Sequence, residues 1–283
     1  MTSKLIHDFI RAKSSLSPNS LNSYSNTLIR FEKFCEERQI DITQVEEHDI
    51  ADFIKPYKFK KTQDSYRKFL SSFYNWGVKK QYVRYNPAIG IKTRGTKKQH
   101  KLMSYQDFRA FLRNCGGLRE TTIFNFMWYT GVRTLELIAI RLKDIDLIND
   151  VIFVPFSKGD SSTGIREIPI HADLKYILTK YIKKSKEKRK ENETTSKLLF
   201  LNKNGNPIKE RTLQGLVTKL QDNKKYTAHD FRRAFITNVY NETKDIVLAQ
   251  ELAGHSSIET TRKYIITNGT DRNRKFKTLK LQG

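Results

Sequence analysis

With 283 residues the chain has room for two domains that each bury a core, and although only 37% of residues are apolar, an aromatic content of 11% supplies packing and argues against disorder throughout. Fifty-three Lys and Arg against 30 Asp and Glu leave a formal charge of +23, a balance that favours polyanionic partners. No apolar run approaches the ~20 residues of a membrane span, residues 1–8 lack a signal-peptide core, and Cys35 and Cys115 match no metal or disulfide spacing.

The first third reads as a helical bundle. Ser17-Pro18 looks like an N-cap followed by proline at the first helical position. Leu21, Tyr24, Leu28, Phe31 and Phe34 or Cys35 then recur every three or four residues, an apolar stripe on one helix. Ile42, Val45, Ile50 and Phe53 predict a shorter helix closed by Lys55-Pro56. Tyr66, Phe69, Leu70, Phe73, Tyr74 and Trp76 predict another that ends near Gly77. These stripes are core. Asn86-Pro87 closes the bundle, because a residue before proline is pushed out of the helical region. The polar stretch 93–101 holds four basic residues and no acid, and reads as an exposed linker between domains over 1–92 and 102–283.

Beyond the linker, Ser104 caps a helix bearing Phe108, Phe111 and Leu112. Thr121–Tyr129 suits a buried helix, Gly131 interrupts it, and Arg133–Leu142 is expected to resume as another. Val151–Val154 and Ile165–Ile170 are the convincing strands, joined by a turn over Lys158–Gly164. Asp144–Leu147 can add a third through Asn149-Asp150. The rest is helical, broken by a surface turn at Asn202–Asn206, and the charged run Lys183–Lys190 is expected to be a solvated helix end. The fold class is therefore mainly α: an N-terminal helical bundle, then an α-rich domain with a small antiparallel sheet.

The chemistry-bearing residues lie in this second domain. Arg133 begins a helix two residues after Gly131, so its side chain can reach a cleft that the backbone also approaches closely, and Glu136 can brace its guanidinium. His229 and Arg232 are three apart and share a helix face; an imidazole and a planar guanidinium suit two phosphodiester oxygens. Gly254-His255 precedes Tyr264 by one short helix that starts near Ser256-Ser257. Singly, each has an ordinary reading: an ion pair, a surface pair, a core tyrosine. Asp144, Asp146 and Asp150 are the one carboxylate cluster suggestive of a divalent metal. They flank a turn without a glycine loop or a bidentate glutamate, so no metal and no cofactor is expected.

In order, Thr130-Gly131-Val132-Arg133-Thr134-Leu135-Glu136-Leu137, Lys158, His229-Asp230-Phe231-Arg232, Leu252-Ala253-Gly254-His255 and Tyr264 resemble the motifs of the tyrosine recombinases, the family of phage integrases and Xer recombinases. The likeness spans nearly the whole chain, and the short N-terminal region looks more like that of Xer than like that of the large integrases, so no arm-binding domain is expected. It implies a core-binding domain over 1–92 and a catalytic domain over 102–283. It implies a site-specific DNA recombinase that works without metal or ATP through a 3′-phosphotyrosyl intermediate. In that scheme Tyr264 is the nucleophile, Arg133 and Arg232 clamp the phosphate, and His229 helps take up the phenol proton. His255 donates a hydrogen bond, Lys158 (with Lys143 as fallback) is the general acid, and Glu136 supports.

The implied partners are double-stranded DNA sites, held by a homotetramer with room for a second recombinase or an accessory protein. The implied location is cytoplasmic and nucleoid-associated, and the role chromosome dimer resolution or mobile-element integration. Arg233 stands where many relatives have histidine, a position read as non-catalytic. The tail beyond Tyr264 is expected to hold a helix that docks on the next subunit. The alternatives are a type IB topoisomerase and a catalytically vestigial DNA-binding protein.

Overall fold

The computed structural model describes residues 3–93, 102–155, 164–191, 196–221 and 226–265. Lys158, nearly all of the expected linker and the tail beyond Ile265 lie outside the described residues. The chain divides into two compact units, Met1–Gln99 and His100–Gly283.

In the first unit, α1 (Lys4–Ala12) lies ahead of the predicted stripes and buries Ile6 and Phe9. The second helix, α2 (Pro18–Glu37), starts as expected: Ser17 Oγ accepts from the Ser20 amide and Pro18 takes the first position. The third, α3 (Glu47–Ile54), begins later than the apolar spacing predicts. Asp41 accepts from the Thr43 amide and hydroxyl, folding residues 41–44 into an Asx turn. Ile42 and Val45 therefore reach the core from a turn.

The fourth helix, α4 (Lys60–Lys79), runs through Gly77. It stops just before Gln81, which adopts the left-handed region (φ 62°), while the Tyr82 amide bonds back to the Gly77 carbonyl. Gly77 serves packing instead, since a Cβ there would lie 3.0 Å from a Val83 methyl. Phe9, Leu28, Phe31, Ile50, Leu70, Phe73 and Tyr74 form the core. Asn86, before the predicted Pro87 break, is itself buried and donates to Ser71 and Asn75.

The second unit opens with α5 (Tyr105–Arg113), capped reciprocally by Ser104 and Asp107. It continues with α6 (Leu118–Thr130), whose Ile123, Phe124, Phe126, Met127 and Trp128 are all buried, as expected of a helix apolar on several sides. After α7 (Thr134–Ala139) and a 3-10 turn at Leu142–Asp144 come β1 (Ile145–Asp146), β2 (Val151–Pro155) and β3 (Ile165–Pro169). They form one antiparallel sheet in the order β1-β2-β3, with Ile152 opposite Ile168 and Val154 opposite Arg166.

The expected Arg133–Leu142 helix is shorter for two reasons. Glu136 captures the Arg133 amide, fixing Arg133 outside the helix as its cap. At the other end the Ile140 carbonyl accepts from Leu199, and the Leu142 amide donates to Lys197, so the chain leaves the helix to pair. The remaining helices are α8 (Ala172–Glu191), α9 (Glu210–Leu220), α10 (Ala228–Thr243), α11 (Ile246–Ala253) and α12 (Ile258–Arg262). Within the expected solvated end of α8, Arg189 departs from expectation: its guanidinium reaches the carbonyls of Ser196, Leu198 and Leu199. Asn202–Asn206 is a turn held on the Asn202 side chain, as predicted. The core gathers around stacked Phe108 and Trp128, with Phe111, Phe124 and Phe231.

Candidate active site

Helix α6 ends at Gly131, which adopts φ 59° and closes the last turn through its amide to the Met127 carbonyl. A side chain here is excluded twice, since the backbone is left-handed and a Cβ would lie 2.3 Å from the Phe235 ring. This close approach brings Arg133, two residues on, beside α10. Its guanidinium donates to Glu136 at 2.8 Å and to the Gly254 carbonyl at 3.2 Å.

Glu136 is shared. Arg166 on β3 donates to both of its carboxylate oxygens, at 3.1 and 2.8 Å, and Glu136 and Arg166 are each only 4% exposed. Burial by itself would raise the Glu136 carboxyl. Arg166, through hydrogen bonds and charge, and then Arg133 outweigh it and hold the group at about 2. A fully ionised carboxylate thus sits between two guanidiniums from different elements.

Helix α10 begins with a capping box between Thr227 and Asp230. That places His229 in its first turn, and Arg232 almost one turn later on the inward side. Arg232 is buried and donates to the Gly131 carbonyl at 2.7 Å and the Ala253 carbonyl at 2.6 Å. Both carbonyls close helices, where the helix dipole favours a cation. Burial first, then the Arg133 charge, lowers its pKa to about 10, which leaves it cationic at neutral pH.

Helix α11 ends on a second left-handed glycine, Gly254 (φ 65°), and His255 emerges from that turn. Its Nδ1 lies 2.9 Å from Thr261 Oγ1, and its carbonyl accepts from Gln250. Ser257 caps α12, and Tyr264 follows two residues after that helix. The Tyr264 carbonyl accepts from Thr237 of α10 at 2.9 Å, and its ring stacks on His255 with centroids 5.2 Å apart. Its hydroxyl lies 2.7 Å from His229 Nε2. Burial and then the charges of Arg232 and Arg233 lower the His229 pKa, against the opposing pull of Asp230. A neutral imidazole protonated on Nδ1 offers its Nε2 lone pair to the phenol at this distance.

Arg133, Glu136, His229, Arg232, His255 and Tyr264 are therefore brought together, while Lys158 lies outside the described residues. Lys143 is exposed on the 3-10 turn. The three aspartates serve the backbone and a lysine: Asp144 caps that turn, Asp146 holds the Ile148 and Asn149 amides, and Asp150 pairs with Lys175. Among the described residues no group of three His, Cys, Asp or Glu side chains is placed to hold a metal. Sequence reasoning missed Arg166 and Thr237. A signal for Arg166 existed, because it alternates with Ile168 on the strand face that turns inward.

Residues 98–270 match the family described as the Phage integrase family, and residues 7–81 match its N-terminal SAM-like domain. The chain is 25% identical over 272 residues to the tyrosine recombinase XerD of Staphylococcus epidermidis, covering 91% of this chain and 90% of that one. Against XerD of Staphylococcus haemolyticus the identity is 27% over 273 residues, covering 90% of each. Among solved structures, the Tn1549 transposon integrase in complex with a circular intermediate DNA superposes with a TM-score of 0.78 at 18% identity, covering 97% of this chain and 98% of that one. The XerH site-specific recombinase bound to a palindromic difH substrate gives 0.74 at 21% identity, covering 96% and 82%. At those identities the likeness speaks to the fold.

Proposed function

The chain belongs to the phage integrase family of tyrosine recombinases, and from that premise we propose that it cuts and rejoins DNA at specific sites through Tyr264. One observation carries the reading: the Tyr264 hydroxyl sits 2.7 Å from His229 Nε2, with Arg133 and Arg232 anchored on the Gly254 and Ala253 carbonyls at the end of α11. A phenol of pKa ~10 is a poor nucleophile at neutral pH until a base takes its proton. His229 takes that proton as the Tyr264 oxygen attacks the phosphorus. The bond to the 5′ oxygen breaks, Lys158 protonates the leaving oxygen, and a 3′-phosphotyrosyl link remains. Arg133, Arg232 and His255 stabilise the charge that develops on the non-bridging oxygens, with Glu136 fixing Arg133. A 5′ hydroxyl from a partner strand reverses the step, and the phosphodiester energy retained in the link removes any need for ATP.

The DNA is held by the helical domain over 1–92 and the catalytic domain over 102–283, joined by the basic stretch 93–101. The charge of +23 suits such a partner, and affinity should fall with salt at a slope of about −0.9 per phosphate contacted. The assembly is a homotetramer on two sites, serving chromosome dimer resolution or movement of an integrating element.

The test is covalent trapping. Wild-type protein incubated with nicked suicide duplexes carrying its site should yield a protein–DNA adduct that Tyr264→Phe does not form. An adduct that survives in Tyr264→Phe would sink the assignment.

A further inference from the structure

Arg233 lies one helical turn beyond His229 on the same face of α10 and belongs to neither the phosphate clamp nor the core. Its guanidinium is nevertheless held. Arg233 Nη1 lies 3.2 Å from Asp230 Oδ1, and the two side chains are only 12% and 13% exposed. The other Asp230 oxygen accepts from the Thr227 amide and hydroxyl at the helix start, so the pair is fixed to the backbone at one end. At the other, the guanidinium carbon stands 5.8 Å from the centre of the Tyr264 ring, within the range where a cation is attracted to an aromatic face.

We propose that Arg233 is a positioning residue for the Tyr264–His229 pair, orienting the phenol and keeping His229 a proton acceptor. The inference rests on the proposed role of Tyr264. The Arg233 charge acts on both members of the pair. A cation beside the imidazole disfavours the imidazolium, and the same cation over the phenol ring holds the ring in place by attraction to its face. The other groups facing this pair are Arg133 at the cap of α7, Arg232 and Asp230 on α10, and His255 after α11. Asp230 opposes the cations, and pairing with Arg233 blunts it. Removing Arg233 therefore subtracts a cation and uncovers an anion, and both changes raise the His229 pKa.

The deciding measurement is an NMR titration of the His229 imidazole in the free full-length protein, its resonances identified by their loss in His229→Gln. In Arg233→Gln the midpoint should rise by about half a unit or more, while Arg233→Lys, which keeps the charge, should stay near wild type. An unmoved midpoint in Arg233→Gln would overturn the proposal. Single-turnover adduct formation on the suicide duplex gives the second readout. The low-pH limb of its rate profile should move to higher pH in Arg233→Gln and return in Arg233→Lys. Equal loss at every pH, without rescue by lysine, would mean a merely structural residue. A wild-type protein that forms no adduct would count against the role of Tyr264, and the imidazole titration would still decide the effect of Arg233 on His229.

Discussion

The two units bury polar groups in different ways. In the first, the buried Thr27, Asp49, Gln63 and Asn86 serve nearby backbone and side chains: a helix carbonyl, a helix cap, and two chain turns. In the second, Glu136, Arg166, Arg232 and His255 are buried too, and the first three tie together segments far apart in sequence. Locally satisfied groups define turns at small cost. Long-range buried charges are expensive to desolvate, and replacing them with apolar side chains often stabilises a protein. Among the described residues such charges gather in the second unit, which marks where electrostatics serve something besides stability.

The largest expected effect comes from breaking the charge group. Glu136→Ala removes the carboxylate that Arg166 and Arg133 share in a buried setting, and should cost about 3–5 kcal/mol in urea unfolding. The same carboxylate gives a pH signature. Its folded-state value of about 2 lies below the ordinary ~4.3 of an unfolded glutamate. Its contribution is therefore complete above that ordinary value and is lost as pH falls towards 2. Glu136→Gln should flatten the acid limb of the stability curve, and an unchanged limb would contradict the assigned ion pair.

Next in size, Gly131→Ala should cost about 2 kcal/mol or more, from a left-handed backbone and the clash with Phe235. It should also slow single-turnover cleavage by about tenfold or more, because the Gly131 carbonyl anchors Arg232. Asn86→Ala sharpens the contrast from the other side. It removes donors to Ser71 and Asn75 and an acceptor for the Ala88 amide, at about 1–3 kcal/mol by thermal denaturation. Cleavage at saturating duplex should stay at the wild-type rate, and a matching loss would erase the distinction between the units. Smallest is Gly77→Ala, where the helix-propensity gain of about 1 kcal/mol opposes crowding against Val83. Its melting temperature should shift by only a few degrees.

Much of the fold is legible in the sequence because the signals are local. The stripe from Leu21 to Cys35, the cap at Ser17, the alternating strands and the turn at Asn202 each depend on residues within a few positions of one another. Where the structure departs from the spacing, another group has intervened. Asp41 turns Ile42 and Val45 out of a helix, Gln81 rather than Gly77 ends α4, and Leu199 draws Ile140 out of α7. The unpredicted α1 carries the same kind of apolar face, in Ile6 and Phe9, on a helix short enough to offer only two buried positions.

The candidate site divides along the same line. Residue order along the chain singles out Arg133, Glu136, His229, Arg232, His255 and Tyr264 through its resemblance to the tyrosine recombinase motifs, since each of them alone has an ordinary reading. Their distances cannot be read from it. That Tyr264 meets His229, that Arg232 bridges the ends of α6 and α11, and that Arg166 shares Glu136 all depend on segments packed against each other from far apart in the chain. Packing also gives Arg233 its place beside the tyrosine ring, in a position where the sequence alone shows only one more positive charge.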